Sequence, residues 1–453
     1  MNRFTPLSSL CLSERDSDLT VALGDGGRKK WGAFTDDVAQ LASVLKASPA
    51  QKWALAFEDS YLFATAFFAC AHAGKSLVLP GNLQTGALTE LSIHFNAILH
   101  DSRVAAPADI ASVSLPLSDT HSTSSLKLEA FDSLALTLYT SGSSGEPKAI
   151  EKSLFQIQEE LNQLEAQWGA ELEGTHIQST VSHQHIYGLL FRLLWPLSAG
   201  RPFQYHDLVY PEQVVAKADK QTVLISSPAL LKRIIEPSSG QYRAIFSSGG
   251  PLPISAAHSS QSCLGALPIE VYGSTETGGI GFRQQSTETT PWHLFSGICA
   301  QLDDVGCLQL LSPYIAPEHW YQTADLCELY DNHTFLLKGR ADRVVKIEEK
   351  RVSLPEIEQR LCQSNWITDA ASILHQQDER QIIVAAVVLS AEGEKMLAET
   401  GAGKFKLMLR QSLREWLEPI AIPRQWRFVD AIPQNSQGKR QQQAIEALLN
   451  RTQ

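Results

Sequence analysis

The sequence predicts an α/β protein with a large multi-layer N-terminal domain over residues 1–339 and a small α+β C-terminal domain over residues 340–453. Three observations carry this prediction. Residues 53–57, 61–73 and 76–79 read as strand, small-residue helix and strand, which is the punctuation of a parallel βαβ crossover. Four apolar runs, over residues 134–139, 222–225, 242–246 and 267–272, each stop abruptly in small polar residues and glycines. If these runs are parallel strands, their loops emerge together on one edge, where open α/β sheets bind ligands. Past residue 339 the pattern restarts, with β residues at 344–347 and 352 and a helix over 355–361. An apolar strand over 381–389 and a last helix from about residue 439 follow.

Taken in order, Leu134, Leu136 and Leu138 alternate with Ala135, Thr137 and Tyr139, as in a buried strand. Thr140, Ser141, Gly142, Ser143, Ser144, Gly145, Glu146, Pro147 and Lys148 follow and read as an irregular loop. Gly142 and Gly145 permit unusual backbone angles, and Pro147 lacks an N–H donor. Four hydroxyls, free N–H groups and the Lys148 cation suit a polyphosphate. The spacing of Gly142, Gly145 and Lys148 differs from that of a Walker loop. Glu151 and Lys152 read as loop or first-turn residues without a special role. Ser153 and Gln156 form a capping box for a helix whose apolar stripe is Leu154, Ile157, Leu161, Leu164 and Trp168. Farther on, Ser227 reads as an N-cap before Pro228. The run 242–246 leads into Gly249 and Gly250, and 267–272 leads into a loop carrying Glu276 between Thr275 and Thr277.

Bulk properties exclude several classes. A net charge of −11 over 453 residues argues against a general nucleic-acid binder. No apolar run approaches the roughly 18 residues of a membrane span, and no signal-peptide pattern opens the chain. Seven scattered cysteines without a Cys-x-x-Cys pair predict reduced thiols, a cytoplasmic setting and no structural zinc.

The 140–148 loop, the Tyr272-Gly273-Ser274-Thr275-Glu276 stretch, Asp325, the run 339–358 and Gly438-Lys439 come in one order that resembles the acyl-adenylate-forming superfamily. That superfamily includes acyl- and aryl-CoA synthetases, adenylation domains and luciferases. The resemblance runs from residue 140 to residue 439 and is loose earlier, at 73–75 and 79–80. It is similar in its short length to compact bacterial ligases of aryl-polyene and fatty-acid-type pathways.

The resemblance implies ATP and Mg2+ as cofactors and assigns roles by position. Thr140, Ser141, Gly142, Ser143, Ser144, Gly145 and Lys148 would hold phosphates. Gly249 and Gly250 would border adenine, and Tyr272 and Gly273 would help bind the nucleotide. Thr275 would contact phosphate, and Glu276 would hold Mg2+. Asp325 and Arg340 would bind ribose, Arg351 would reach the phosphate side, and Asp342 would be the hinge of a mobile C-terminal domain. Lys439 would be the catalytic lysine delivered by that domain. His185, with His183 as rival, would line the carboxylate pocket, which Tyr187, Phe282 and glycines within 278–281 could frame. Residues 181–200 hold no acidic side chain to pair a substrate ammonium, which argues against an amino acid. Two positions depart from the family's glycine: Ala324 and Glu349.

The implied reaction joins a carboxylic acid to AMP and then passes the acyl group to a phosphopantetheine thiol. Lys404, Lys406, Arg410, Arg414, Arg424 and Arg427 give the small domain a cationic excess. This favours a holo acyl carrier protein as acceptor, with coenzyme A as the alternative. Arg440 reads as a surface residue. A degenerate nucleotide-binding fold and an unrelated phosphotransferase are the competing classes.

Overall fold

The structure is a computed structural model that describes residues 4–24, 27–117, 126–141, 147–316, 318–347, 350–377, 380–414, 417, 419–435 and 440–450. The chain forms two compact units. The first comprises residues 1–142, 146–299 and 311–321, and the second comprises 143–145, 300–310 and 322–453.

A six-stranded sheet in the first unit has the order Ala111–Leu115, Ala97–Asp101, Lys52–Ala56, Ser76–Leu79, Ala135–Ser141, Pro147–Ser153. All neighbours are parallel except the last pair. The predicted βαβ unit is present: the Ser60–His72 helix joins the strands Lys52–Ala56 and Ser76–Leu79. Asp59 caps that helix by accepting from the backbone N–H groups of Tyr61 and Leu62.

A second sheet in this unit begins with the antiparallel strands Trp292–Leu294, Gly278–Arg283 and Ile269–Ser274. It continues through Ala244–Ser247, Thr222–Ser226, His176–Ser179, Phe203–Gln204 and Thr20–Gly24, and ends at Gly27–Lys30. The strands from Ile269–Ser274 to Thr20–Gly24 are mutually parallel. Three of the four predicted polar strand ends therefore share an edge. The fourth, after Ala135–Ser141, belongs to the other sheet, because strand polarity alone cannot say which runs pair. The Leu154–Trp168 helix has both hydrogen bonds of its predicted capping box. It ends on Trp168, whose ring lies 4.9–6.4 Å from Phe191, Trp195, Phe246, Phe282 and Phe295.

In the second unit, strands Cys299–Leu302, Cys307–Leu311, Tyr321–Leu329 and Thr334–Arg340 are successive neighbours. The hairpin Val344–Ile347/Lys350–Ser353 and the sheet Ile367–Gln377, Arg380–Leu389, Gln425–Phe428 follow. Helices Leu354–Cys362, Ala391–Leu413 and Gln442–Asn450 complete it. Ile357, Leu361, Ile383, Phe405, Leu409 and Trp426 share one buried cluster. Among the described residues, no helix is long and apolar enough to cross a membrane.

Candidate active site

The described ends of the 140–148 stretch, residues 140–141 and 147–148, lie in strands. Ala135–Ser141 pairs antiparallel with Pro147–Ser153, and Thr140 opposes Lys148. Pro147 opens an edge strand, a position where the missing N–H costs no ladder bond. Gly142, Ser143, Ser144 and Gly145 lie outside the described residues, and Ser141 is described by its backbone alone.

Residues 148, 150 and 152 share one face of this strand, and burial deepens along them from exposed to buried. At the exposed end, Lys148 Nζ lies 2.8 Å from Glu276 Oε1. At the buried end, Lys152 Nζ donates to the carbonyl oxygens of Glu276 at 2.9 Å and Tyr314 at 2.8 Å. One strand thus holds one glutamate by both its carboxylate and its main chain. Lys152 is in a strand and buried, not in a loop or first turn as its sequence setting implied. A mid-strand lysine gives no local signal of burial when its partners lie 124 and 162 residues away.

Burial pushes the Glu276 carboxyl up, but hydrogen bonds led by that from Lys148 outweigh it and leave it below the ordinary value. The same hydrogen bond raises Lys148. Burial lowers Lys152, opposed by the charges of Glu160 and Glu276.

Glu276 sits on the three-residue tip of a hairpin, Ile269–Ser274 with Gly278–Arg283, where sequence predicted a loop. A buried ion pair, Arg283 Nε to Glu270 Oε1 at 2.8 Å, staples the hairpin's base, and Arg283 also lies over the Trp292 ring at 4.4 Å. At the tip, the Ser274 N–H donates to Thr277 Oγ1 (3.0 Å) and the Thr277 N–H to Ser274 Oγ (3.1 Å). The glycines are needed for closeness. A Cβ on Gly273 would lie 2.2 Å from the Gly278 carbonyl oxygen. Gly278 has φ +68°, and a Cβ there would lie 2.8 Å from Glu160 Oε2. Glu160, buried in the Leu154–Trp168 helix, accepts from the Gly279 N–H at 2.7 Å. Burial raises the Glu160 carboxyl, against the lowering effect of Lys152. The space beside Gly278 and Gly279 is therefore taken by Glu160, Tyr314 and Phe295, and Phe282 packs on Trp168.

Other predicted residues belong to the same unit. Thr275 is buried beside Glu276. The Tyr272 ring lies 5.5 Å from that of Trp292. Gly249 has φ +95°, and added Cβ atoms at Gly249 and Gly250 would meet nothing within 4 Å, so their backbone is open to a flat ligand. The two histidines separate. His183 is fully buried, with Nδ1 3.1 Å from Ser60 Oγ and Nε2 3.0 Å from the Phe57 carbonyl. Burial holds it well below the ordinary imidazole range, and both nitrogens serve the core. His185 is half-buried, and its Cε1 lies 3.8 Å from the Cβ position of Gly81, against the Tyr139 carbonyl.

In the second unit, Asp325 and Arg340 are cross-strand partners, with Oδ1 and Nη1 3.2 Å apart. Asp342 lies in the one-turn helix Ala341–Arg343, and Arg351 in the strand Lys350–Ser353. Glu349 and Lys439 lie outside the described residues. Arg440 is exposed, as its sequence setting implied, and it is also paired. It donates to Glu358 at 2.9 Å and Asp369 at 2.6 Å. Glu358 is buried and also accepts from Arg343 at 2.7 and 2.9 Å and from the Ser372 N–H at 2.6 Å.

The Glu276 setting fits a Mg2+ carried in by phosphate. It offers one ionised carboxylate with hydroxyls beside it, and Mg2+ often takes one or two carboxylates plus phosphate oxygens and water. Among the described residues no group of three or more metal-binding side chains could form an all-protein cage.

Residues 13–299 match the AMP-binding enzyme family, and residues 356–439 match the AMP-binding enzyme C-terminal domain. The chain belongs to this family, and with it to the acyl-adenylate-forming superfamily that its motifs resemble. The chain is 24% identical to an anthranilate–CoA ligase of Pseudomonas aeruginosa, over 88% of itself and 87% of that protein. It is 28% identical to malpinin synthetase of Mortierella alpina over 45% of itself, and spans 2% of that much longer protein. Its fold matches an ATP-bound structure of MatB from Rhodopseudomonas palustris with TM-score 0.82, 18% identity and 99% of each chain covered.

Proposed function

We propose that the chain is an AMP-forming acid–thiol ligase. A substrate carboxylate oxygen attacks the α-phosphorus of ATP, and pyrophosphate leaves. The thiol sulfur of an acceptor then attacks the acyl carbonyl carbon, and AMP leaves. The observation that carries the reading is the grip of Lys148 and Lys152 on Glu276, in a chain of this family.

Carboxylate and triphosphate repel, so the protein's task is to hold both in place and to offset charge. Thr140, Ser141, Ser143, Ser144 and Lys148 would hold the outer phosphates, with the backbone of Gly142 and Gly145 and the Thr275 hydroxyl. Glu276 would hold Mg2+, which when bound shields the phosphate charge. The open backbone at Gly249 and Gly250, with Tyr272 and Gly273, would border the base. Asp325 and Arg340 would meet the ribose, and Arg351 the phosphate side. His185 would line the acid's pocket, and its half-buried ring supports it over His183. Lys439, in the segment 340–453 that turns about Asp342, would offset charge on the reacting carboxylate and bridging oxygen.

For the acceptor, the likeness to a CoA ligase over nearly its full length favours coenzyme A over the carrier protein that the basic residues predicted. The carrier reading keeps one support: Lys404, Arg414 and Arg424 are exposed in the second unit. The test has two stages. Labelled pyrophosphate should exchange into ATP only when the right acid is present, across a panel of aryl, malonyl-type and fatty acids. Thioester yield is then compared with coenzyme A and with holo carrier protein. Yield with coenzyme A supports the reading, whereas yield with a carrier alone reverses the acceptor. Release of ADP in place of AMP would overturn the ligase itself.

A further inference from the structure

We propose that Lys152 and Glu160 are positioning residues for adenylation, fixing the Glu276 turn from beneath so that its carboxylate is presented in one direction. The inference rests on the ligase reading for the role of Glu276.

Neither residue reaches the turn's exposed side. Lys152 is 5% and Glu160 7% exposed, and lysine and glutamate are seldom buried this deeply unless paired. Their contacts fall on both sides of the tip's last residue, Thr277. The Lys152 ammonium takes the carbonyl oxygen of Glu276, and the Glu160 carboxylate takes the N–H of Gly279. The carbonyl held by Lys152 belongs to the residue whose carboxylate does the work. A shift of the Glu276 main chain, which carries the carboxylate with it, would break that bond.

The second carbonyl on Lys152, from Tyr314, ties the turn to a distant segment of the same unit. Lys148 holds the carboxylate end, but it is more than half exposed and is the group expected to meet phosphate. When Lys148 engages phosphate, the direction of Glu276 depends on the two buried charges. An apolar pair at 152 and 160 could fill the same space, yet it would leave the Glu276 carbonyl and Gly279 N–H unpaired. Each buried polar group left unpaired is costly.

A purely structural role would lower activity only as far as it lowers the folded fraction. A positioning role changes how the enzyme responds to Mg2+. The experiment titrates MgCl2 into the pyrophosphate-exchange assay, at saturating ATP and acid, for the full chain and the variants Lys152→Met, Lys152→Arg, Glu160→Leu and Glu160→Gln. Each is assayed well below its own melting temperature.

Lys152→Met and Glu160→Leu should raise the Mg2+ concentration for half-maximal rate at least five-fold and lower kcat at least ten-fold, with the KM for the acid within about two-fold. Lys152→Arg and Glu160→Gln keep a donor and an acceptor, and should lose less than their apolar counterparts. If Lys152→Met does not fold, Glu160→Leu decides alone. An unshifted Mg2+ half-saturation in folded Glu160→Leu overturns the proposal, as does a loss no smaller in the conservative variants. If the wild-type chain shows no acid-dependent exchange, the ligase reading itself falls and takes this inference with it.

Discussion

Two buried carboxylates, Glu160 in the first unit and Glu358 in the second, anchor their surroundings in two different ways. Glu160 acts with a single buried lysine, and the pair grips main-chain groups of the Glu276 turn. Glu358 instead collects two arginines, Arg343 next to Asp342 and Arg440 next to Lys439. The first arrangement fixes Glu276 itself. The second fixes Arg343 and Arg440, the sequence neighbours of Asp342 and Lys439. A group that must meet phosphate at one fixed angle suits the first. On the proposed mechanism, a pivot and a lysine that arrives and leaves suit the second.

The largest effect should follow from removing the delivered charge. Lys439→Ala should lower adenylate formation by about 10²–10³, the scale of a lost transition-state charge contact. Thioester formation from supplied acyl-adenylate should persist. Normal pyrophosphate exchange in the variant would break the contrast, because Glu276 and Lys148 would then suffice.

A smaller, one-sided effect should follow from stiffening the pivot. Asp342→Pro fixes φ near −65°. It should cut thioester formation about ten-fold or more while pyrophosphate exchange stays within a few-fold. Equal slowing of both steps would place the pivot elsewhere.

The smallest effect concerns the exposed end of the lysine strand. Lys148→Met should raise the KM for ATP several-fold and cost under about 1 kcal/mol of stability, since Lys148 is largely exposed and water screens the pair. The pH dependence has a definite sign. The folded Glu276 carboxyl titrates lower than its ordinary value, so the pair's contribution is present above the unfolded value and fades as pH falls through the folded one. The stability gap between wild type and Lys148→Met, from urea unfolding, should therefore shrink between pH 6 and about pH 3. A gap that widened on acidification would contradict the pairing.

What sequence made legible follows the same division. The Leu154–Trp168 helix carried its start signal and its apolar period locally, and both are present. The βαβ unit and three of the polar strand ends were also readable, because apolar runs and small-residue breaks are local signals. The burial of Lys152 and Glu160, and the partners of Arg343 and Arg440, were not, since a charged residue looks solvated and unpaired until its distant partner is known. The Pro147–Ser153 strand was hidden because only one of its faces turns inward, and it does so with a lysine. Gly273 read as a nucleotide contact, and the glycines at 278 and 279 as a frame for the acid. They serve close packing, of one hairpin arm on the other and of Glu160 and Phe295 against the turn.

The most direct test follows an oxygen atom. The substrate acid, labelled with 18O in its carboxylate, is turned over with unlabelled ATP and acceptor thiol, and the products are weighed by mass spectrometry. Attack on the α-phosphorus leaves a carboxylate oxygen bridging to AMP, and the thiol displaces AMP with that oxygen attached. One 18O per AMP, with none in pyrophosphate, is the predicted result. Label in inorganic phosphate alongside ADP would mean attack at the outer phosphate and would contradict the account.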